Sequence, residues 1–165
     1  MNILIVDDEV IVVNLLKKHI DWQSLGMNEV FTAYTAMDAR EIVSGNKIDI
    51  IVCDIEMPQE NGLFFLAWVR ESFPDIVKII LTGYPDFKYA QDAINIGVVK
   101  YLLKPVGFEE LSETVRLAAD EINKRKNEKL QISSGRQQEP KREEKIFYTN
   151  LLLSLIHISE PTRHS

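Results

Sequence analysis

Five times along this chain a short β-rich run is followed by a helical pattern, and no other feature limits its fold as strongly. The runs are "NILIV" (2–6), "EVFTA" (29–33), "DIIVC" (49–53), "KIIL" (78–81) and "KYLL" (100–103). The helical patterns after them are "VIVVNLLKKHI", "AMDAREIVSG", "GLFFLAWVRESF", "DFKYAQDAINIG" and "FEELSETVRLAADEI". Gly45 closes the second and Pro74 stops the third. In the fourth, Phe87, Ala90 and Ile94 share one face, and Gly97 suits the left-handed residue that ends a helix. In the fifth, Leu111, Val115, Ala118 and Ile122 share a face. Strand alternating with helix means a parallel sheet covered by helices on both sides, an α/β fold. The unbroken apolar run from Ile50 to Cys53 belongs to a strand buried on both faces.

Charge narrows the partners. Residues 1–127 carry 20 acids and 13 bases, whereas residues 128–165 carry 5 acids and 6 bases. The globular part lacks the clustered Lys and Arg that phosphate contacts need, so it is not a nucleic-acid interface. A single cysteine, Cys53, excludes a disulfide framework and fits a reducing compartment. The start "MNILIVDDE" has no basic leader, and the late apolar block "LLLSLIHI" is too short to span a bilayer. A cytoplasmic location without membrane contact is expected.

Beyond the fifth pattern the composition changes. From Asn123 to Lys145 the only apolar residues are Leu130 and Ile132, which reads as a helix tail running into a polar linker over 125–145. "REEKIFYTNLL" reads as the opening of another amphipathic helix, so 146–152 is expected to begin a truncated output region. "LSLIHISEPTRH" resembles a translated sequencing adapter, and 153–165 is expected to be a foreign tail. His157 and His164 therefore carry no functional weight.

All strands of a parallel sheet point one way, and ligands bind at their shared carboxyl edge. The first run ends in Asp7, Asp8 and Glu9; the third in Asp54; the fourth in Thr82 and Gly83; the fifth in Lys104 and Pro105. The second offers only Tyr34 and Thr35. Clustered carboxylates repel, and at least one pKa rises unless a cation is present. A hard divalent cation with oxygen ligands resolves this, and Mg²⁺ fits because it needs few carboxylates and keeps several waters. A carboxylate, Mg²⁺, a lysine and a hydroxyl suit phosphoryl transfer, in which positioning and charge neutralisation do most of the work. The nucleophile would be a carboxylate, giving an acyl phosphate.

"DDE", "DIEMPQENG", "LTGY" and "YLLKP", in that order, resemble the signatures of a response-regulator receiver domain, over about residues 1–124. The resemblance implies a flavodoxin-like (βα)5 sheet of strand order 2-1-3-4-5. It implies Asp54 as phosphoacceptor, Asp8 as a direct Mg²⁺ ligand, Asp7 as a partly water-mediated one, and the Glu56 backbone carbonyl as another. Thr82 corresponds to the hydroxyl that engages the phosphoryl group, and Lys104 to the lysine that pairs with its oxygens. Tyr101 corresponds to the switch aromatic that turns inward when Thr82 moves. A cis peptide is expected at Lys104–Pro105. Glu56 and Tyr84 border the path of the hydrolytic water, so a moderately long-lived phosphoryl group is expected. The implied donor is a sensor histidine kinase. The face made by the fourth helix, fifth strand and fifth helix is expected to support a homodimer. "HIDWQSLGM", "GYPDFKYAQDAINIGVVKYLLKP" and "REEKIFYTNLL" look most like regulators with an AraC-type output, so DNA is reached only through a domain these residues do not supply.

Each site residue also has an ordinary reading. Asp7 and Asp8 suit a helix cap, Thr82 and Gly83 loop chemistry, Tyr101 edge or core packing, Lys104 a surface lysine, and Cys53 a small buried apolar group. His19 suits a solvated helix face, and Trp22 and Trp68 core or interface positions. Convergence of the acids and the lysine on one rim favours the site. The rival enzyme is a haloacid-dehalogenase-type phosphohydrolase, which wants a second Asp where Glu56 stands. The rival binding modules are a stand-alone docking receiver and a receiver that no longer uses phosphate.

Overall fold

The alternation is realised as β1 (Asn2–Val6), α1 (Val10–His19), β2 (Glu29–Ala33), α2 (Ala36–Gly45), β3 (Ile50–Asp54), α3 (Gly62–Ser72), β4 (Val77–Thr82), α4 (Phe87–Ile96), β5 (Lys100–Leu103) and α5 (Phe108–Ser133). The structure, a computed structural model, describes residues 1–133. The expected foreign tail, the start of an output region and most of the expected linker lie outside these residues. All neighbouring strands pair in parallel, in the order β2-β1-β3-β4-β5.

Side-chain alternation builds two apolar layers. Ile3, Ile5, Ile50, Val52 and Ile79 meet Val13 and Leu16 of α1 and Leu111 and Val115 of α5. Leu4, Ile51, Ile80 and Tyr101 meet residues of α2, α3 and α4 on the other face. The central strand β3 is buried along its whole length, as its apolar run predicts. Each such side chain contributes roughly 1.5–3 kcal/mol when fully buried. A slip of β3 by one residue would draw the Asp54 carboxylate between the two layers, where an unpaired charge is very costly. Burial therefore fixes the level at which Asp54 leaves the sheet.

Several boundaries differ from the sequence reading. The third strand spans Ile50–Asp54 rather than 49–53, so the carboxylate belongs to the strand end itself. The fourth runs from Val77 to Thr82, longer at both ends than 78–81, because Val77 and Thr82 are also buried. In α4 the buried stripe is Ala90, Ala93 and Ile96, while Phe87 is 61% exposed. Phe87 directly follows the cap residue Asp86, whose carboxylate accepts from the Lys88 N–H. Gly97 ends this helix at φ 81°, as expected. The last helix runs on to Ser133, past the apolar stripe that ends at Ile122.

Three polar residues are buried in strands: Asp54 and Thr82 at strand ends that reach the carboxyl edge, and Lys78 away from it. Lys78 follows the alternation onto the Ile51–Ile80 face, and its ammonium donates to the Ile76 carbonyl at 3.1 Å. Burial, with Arg70 and Arg125 adding like charge, lowers its pKa to about 8.

Candidate functional site

The register fixes where the acids meet. Val6 lies opposite Cys53, so Asp7 and Asp54 leave neighbouring strands at the same level. Oxygens of Asp7, Asp8 and Asp54 all lie within 4.8 Å of one another. Order 2-1-3-4-5 reverses the winding between β1 and β3, and the crevice at such a switch point is where ligands bind. Asp7 also orders the entry to α1, since its Oδ1 accepts from the Glu9 N–H at 2.9 Å. Helix α1 itself has no side-chain cap, so capping does not account for this acidic pair.

Asp54 is held from below as well as beside. The N-terminus of α3 comes so close that a Cβ on Gly62 would stand 1.9 Å from the Asp54 carbonyl oxygen and 3.1 Å from Cys53 Sγ. Only glycine admits this approach. Asn61 starts the helix, its Oδ1 accepting from Leu63 N–H at 2.8 Å. The loop between Asp54 and Asn61 carries Gln59 at φ 72°, a left-handed conformation uncommon outside glycine. The Cys53 thiol is buried against the Asp54 carbonyl at 3.1 Å, and burial pushes its pKa well up, which makes it an inert packing group.

Lys104 is the counter-ion. A cis peptide joins it to Pro105, as the resemblance implies. Its Nζ lies 2.6 Å from Asp7 Oδ2 and 3.3 Å from both Asp54 Oδ2 and Glu9 Oε1. The contact with Asp7 is close as an ion pair but poorly aligned as a hydrogen bond. Asp7 Oδ2 and Asp54 Oδ1 remain buried without a hydrogen-bond partner. Burial first, and the Asp7 charge second, raise Asp54 to about 7. Burial likewise raises Asp7, against the pull of Lys104. Burial alone would lower the Lys104 ammonium, but Asp7, Asp54 and Glu9 outweigh it and hold the lysine above its ordinary value. Two underserved buried oxygens and a third carboxylate nearby fit a small hard cation that accepts only oxygen ligands.

The hydroxyl side of the pocket is differently arranged. Thr82 is fully buried, and its Oγ1 donates towards the Glu56 carboxylate, 2.9 Å from Oε1 and 3.2 Å from Oε2. The same oxygen accepts from the Tyr84 N–H at 3.2 Å. Tyr101 already points inward and is buried, its hydroxyl 3.4 Å from the Tyr84 carbonyl. Tyr84 is 69% exposed.

The rim thus gathers Asp7, Asp8, Asp54 and Lys104, with Thr82, Glu56 and Tyr101 in one adjoining network. Sequence reasoning assigned no role to Glu9. Glu9 stands in the acidic triplet two residues beyond Asp7, and that spacing across a turn was its only signal. His19 is exposed as expected, with its ring stacked 5.0 Å from Phe108. Trp22 is buried, and Trp68 packs between Phe65 and Phe73 beneath the Arg40 guanidinium.

A doubly wound parallel sheet with an acidic pocket at its switch point and a lysine just beyond its last strand is the arrangement of a receiver domain. The profile of the response regulator receiver domain matches residues 3–116, and the chain belongs to that family. The transcriptional regulatory protein YesN of Bacillus subtilis is 30% identical over 133 residues, covering 78% of this chain and 36% of YesN. The transcriptional regulatory protein HptR of Staphylococcus aureus is 34% identical over 109 residues, covering 66% of this chain and 42% of HptR. The receiver domain of AraT, a response regulator from Geobacillus stearothermophilus, is 34% identical with TM-score 0.71, covering 76% of this chain and 97% of that one. A two-component transcriptional regulator AraC from Clostridium phytofermentans is 25% identical with TM-score 0.70, covering 75% of this chain and 96% of that one. The chain spans less than half the length of these two curated relatives, 36% of YesN and 42% of HptR. Among the described residues no helix is long and apolar enough to cross a membrane.

Proposed function

We propose that this receiver domain accepts a phosphoryl group on Asp54 from the phosphohistidine of a sensor kinase and converts it into a change at the α4–β5–α5 face. The observation that carries this is the buried Asp54 carboxylate, within 3.3 Å of Lys104 and clustered with Asp7 and Asp8. An Asp54 oxygen attacks phosphorus as the phosphorus–nitrogen bond of the donor breaks. The bonding pair leaves with the imidazole, which takes up a proton, and an acyl phosphate remains. Asp7, Asp8, Asp54 and the Glu56 backbone carbonyl would hold Mg²⁺, which supplies neutralisation of the phosphoryl oxygens. Lys104 pairs with the same oxygens, and Thr82 turns to donate to one of them. Tyr101, tied to the Tyr84 carbonyl, follows the β4–α4 loop. The change is a population shift, driven by the difference in affinity of the two states for the phosphorylated site.

A symmetric pair through the α4–β5–α5 face fits the exposed Phe87, Leu103 and Leu117, one on each element. The curated relatives are longer and regulate transcription, so the output read from the sequence is a DNA-binding domain of AraC type, with DNA contacted there and not by this acidic domain. A phosphohydrolase is disfavoured because Glu56, in the place of the second acid it needs, is engaged by Thr82.

Intact mass after incubation with acetyl phosphate or phosphoramidate tests the reading. One added phosphoryl group is expected, requiring both Mg²⁺ and Asp54 and absent from Asp54→Asn. No adduct on a Mg²⁺-binding domain would favour a phosphate-independent docking receiver. Continuous phosphate release without an adduct would restore the hydrolase.

A further inference from the structure

A threonine hydroxyl has one hydrogen to donate. Thr82 directs it chiefly to the Glu56 carboxylate, which straddles Oγ1 at 2.9 and 3.2 Å, with the Tyr84 carbonyl a second acceptor at 3.2 Å. A hydroxyl bound to a carboxylate is among the stronger hydrogen bonds, and this one lies at a fully buried residue. Threonine is also stiff about χ1, so its hydroxyl reaches an acceptor beyond Glu56 and the Tyr84 carbonyl only by a rotamer change or a movement of the strand end. The proposed function needs the same hydrogen for a phosphoryl oxygen on Asp54. The two acceptors therefore exclude one another.

We infer that Glu56 is a positioning residue that acts through Thr82, holding its hydroxyl in the resting receiver and so setting how much phosphoryl binding is needed to switch the domain. The inference rests on the phosphoacceptor reading above. Its reach comes from the remaining bonds of Oγ1, which also accepts from the Tyr84 N–H, while the Tyr84 carbonyl accepts from the Tyr101 hydroxyl. Releasing Glu56 frees Thr82 to move, and the main chain at Tyr84 moves with it, on both sides of that residue. A contiguous set of hydrogen bonds thus joins the loop leaving β3 to the aromatic on β5.

Two mechanisms would let Glu56 oppose the phosphoryl group: this competition for one hydrogen, and simple repulsion of charge. A double-mutant cycle separates them. The probe is beryllofluoride with saturating Mg²⁺, its affinity measured by titration on wild type, Glu56→Ala, Glu56→Gln, Thr82→Val and Glu56→Ala/Thr82→Val. Glu56→Ala is expected to tighten binding about tenfold, the scale of a hydrogen bond to a charged group. Glu56→Gln keeps an acceptor and is expected to tighten it less. In the Thr82→Val background, Glu56→Ala is expected to change affinity by less than about twofold. Unchanged or weaker binding by Glu56→Ala would overturn the inference. So would an equal gain in the Thr82→Val background, which would assign the effect to charge. If wild type takes up neither beryllofluoride nor a phosphoryl group, the phosphoacceptor reading itself fails and this one falls with it. A wild type that binds while Glu56→Ala gains nothing defeats this inference alone.

Discussion

Gly62 is where two ordinary rules give opposite signs. It is the first residue of α3, and helix propensity alone says that Gly62→Ala stabilises, by up to about 1 kcal/mol. The structure says the reverse. The added Cβ would stand 1.9 Å from the Asp54 carbonyl oxygen and 3.0 Å from its carbonyl carbon. Contacts under 3.0 Å are essentially never seen, so the gap to the oxygen must open by about 1.1 Å, from 1.9 to 3.0 Å. The obstructing atoms are main chain, on a strand buried on both faces, and cannot swing aside as a side-chain tip would. Overpacking a tight interior costs about 1–3 kcal/mol, and a clash this short against backbone belongs at the upper end. Less the propensity gain, the net loss is about 2 kcal/mol. For a domain of this size that lowers Tm by about 8 °C. Urea and thermal denaturation measure it directly. Gly45→Ala is the control: it ends α2 with no atom within 4 Å of the new Cβ, and it is expected to be neutral or mildly stabilising. Gly62→Ala should also slow acyl phosphate formation, because the displaced group is Asp54. A Gly62→Ala domain as stable as its parent would refute the close approach and the positioning role derived from it.

Two further predictions concern buried charge. Lys78→Met is expected to stabilise the domain at pH 7 by about 3 kcal/mol, the value of a pKa lowered from 10.5 to about 8. The unfolded chain binds the extra proton between those pH values, so wild-type stability should gain on Lys78→Met as pH rises from 8 towards 10.5, read from denaturation midpoints. Asp54 has the opposite sign: in metal-free buffer its folded pKa of about 7 lies above the ordinary 3.8, so its contribution is full below about pH 4 and lost as pH rises through 7. Asp54→Asn is therefore expected to be more stable than wild type at pH 8 in EDTA by a few kcal/mol, with the difference closing towards pH 4.

Much of this was legible because it rests on periodicity. Five apolar runs alternating with helical stripes fix a parallel sheet, and the residues after the runs must then share an edge. Asp7, Asp54, Thr82 and Lys104 were found in that way, from topology and residue chemistry together. What was illegible depends on angles and on contacts between distant parts of the chain. The stripe of α4 could be drawn through Phe87 or through Ala93 and Ile96, and only packing against α3 and the sheet selects the second. Lys78 reads as a polar strand-start residue, yet the alternation of β4 carries it inside. The link between Glu56 and Thr82 spans 26 positions, and nothing in either motif announces it. Gly62 looks like any glycine near a helix start until the Asp54 carbonyl is placed beside it.

These non-periodic details divide the labour within the site. Asp7, Asp8 and Asp54 outnumber the single Lys104 ammonium, and the two buried oxygens without a hydrogen bond lie on Asp7 and Asp54. A divalent cation answers that excess without drawing on any hydrogen-bond donor. It therefore acts on stability, and nothing about it requires Thr82 to move. A phosphoryl group adds acceptors instead of removing charge, and the nearest hydroxyl donor is already committed to Glu56. It must therefore act on conformation, through the Thr82–Glu56 contact that has to break. On the proposed reading, the acids of β1 and β3 make the site able to bind, whereas Glu56 and Thr82 make binding consequential. The two functions sit on different residues of one rim, so either can be altered by substitution while the other is left in place.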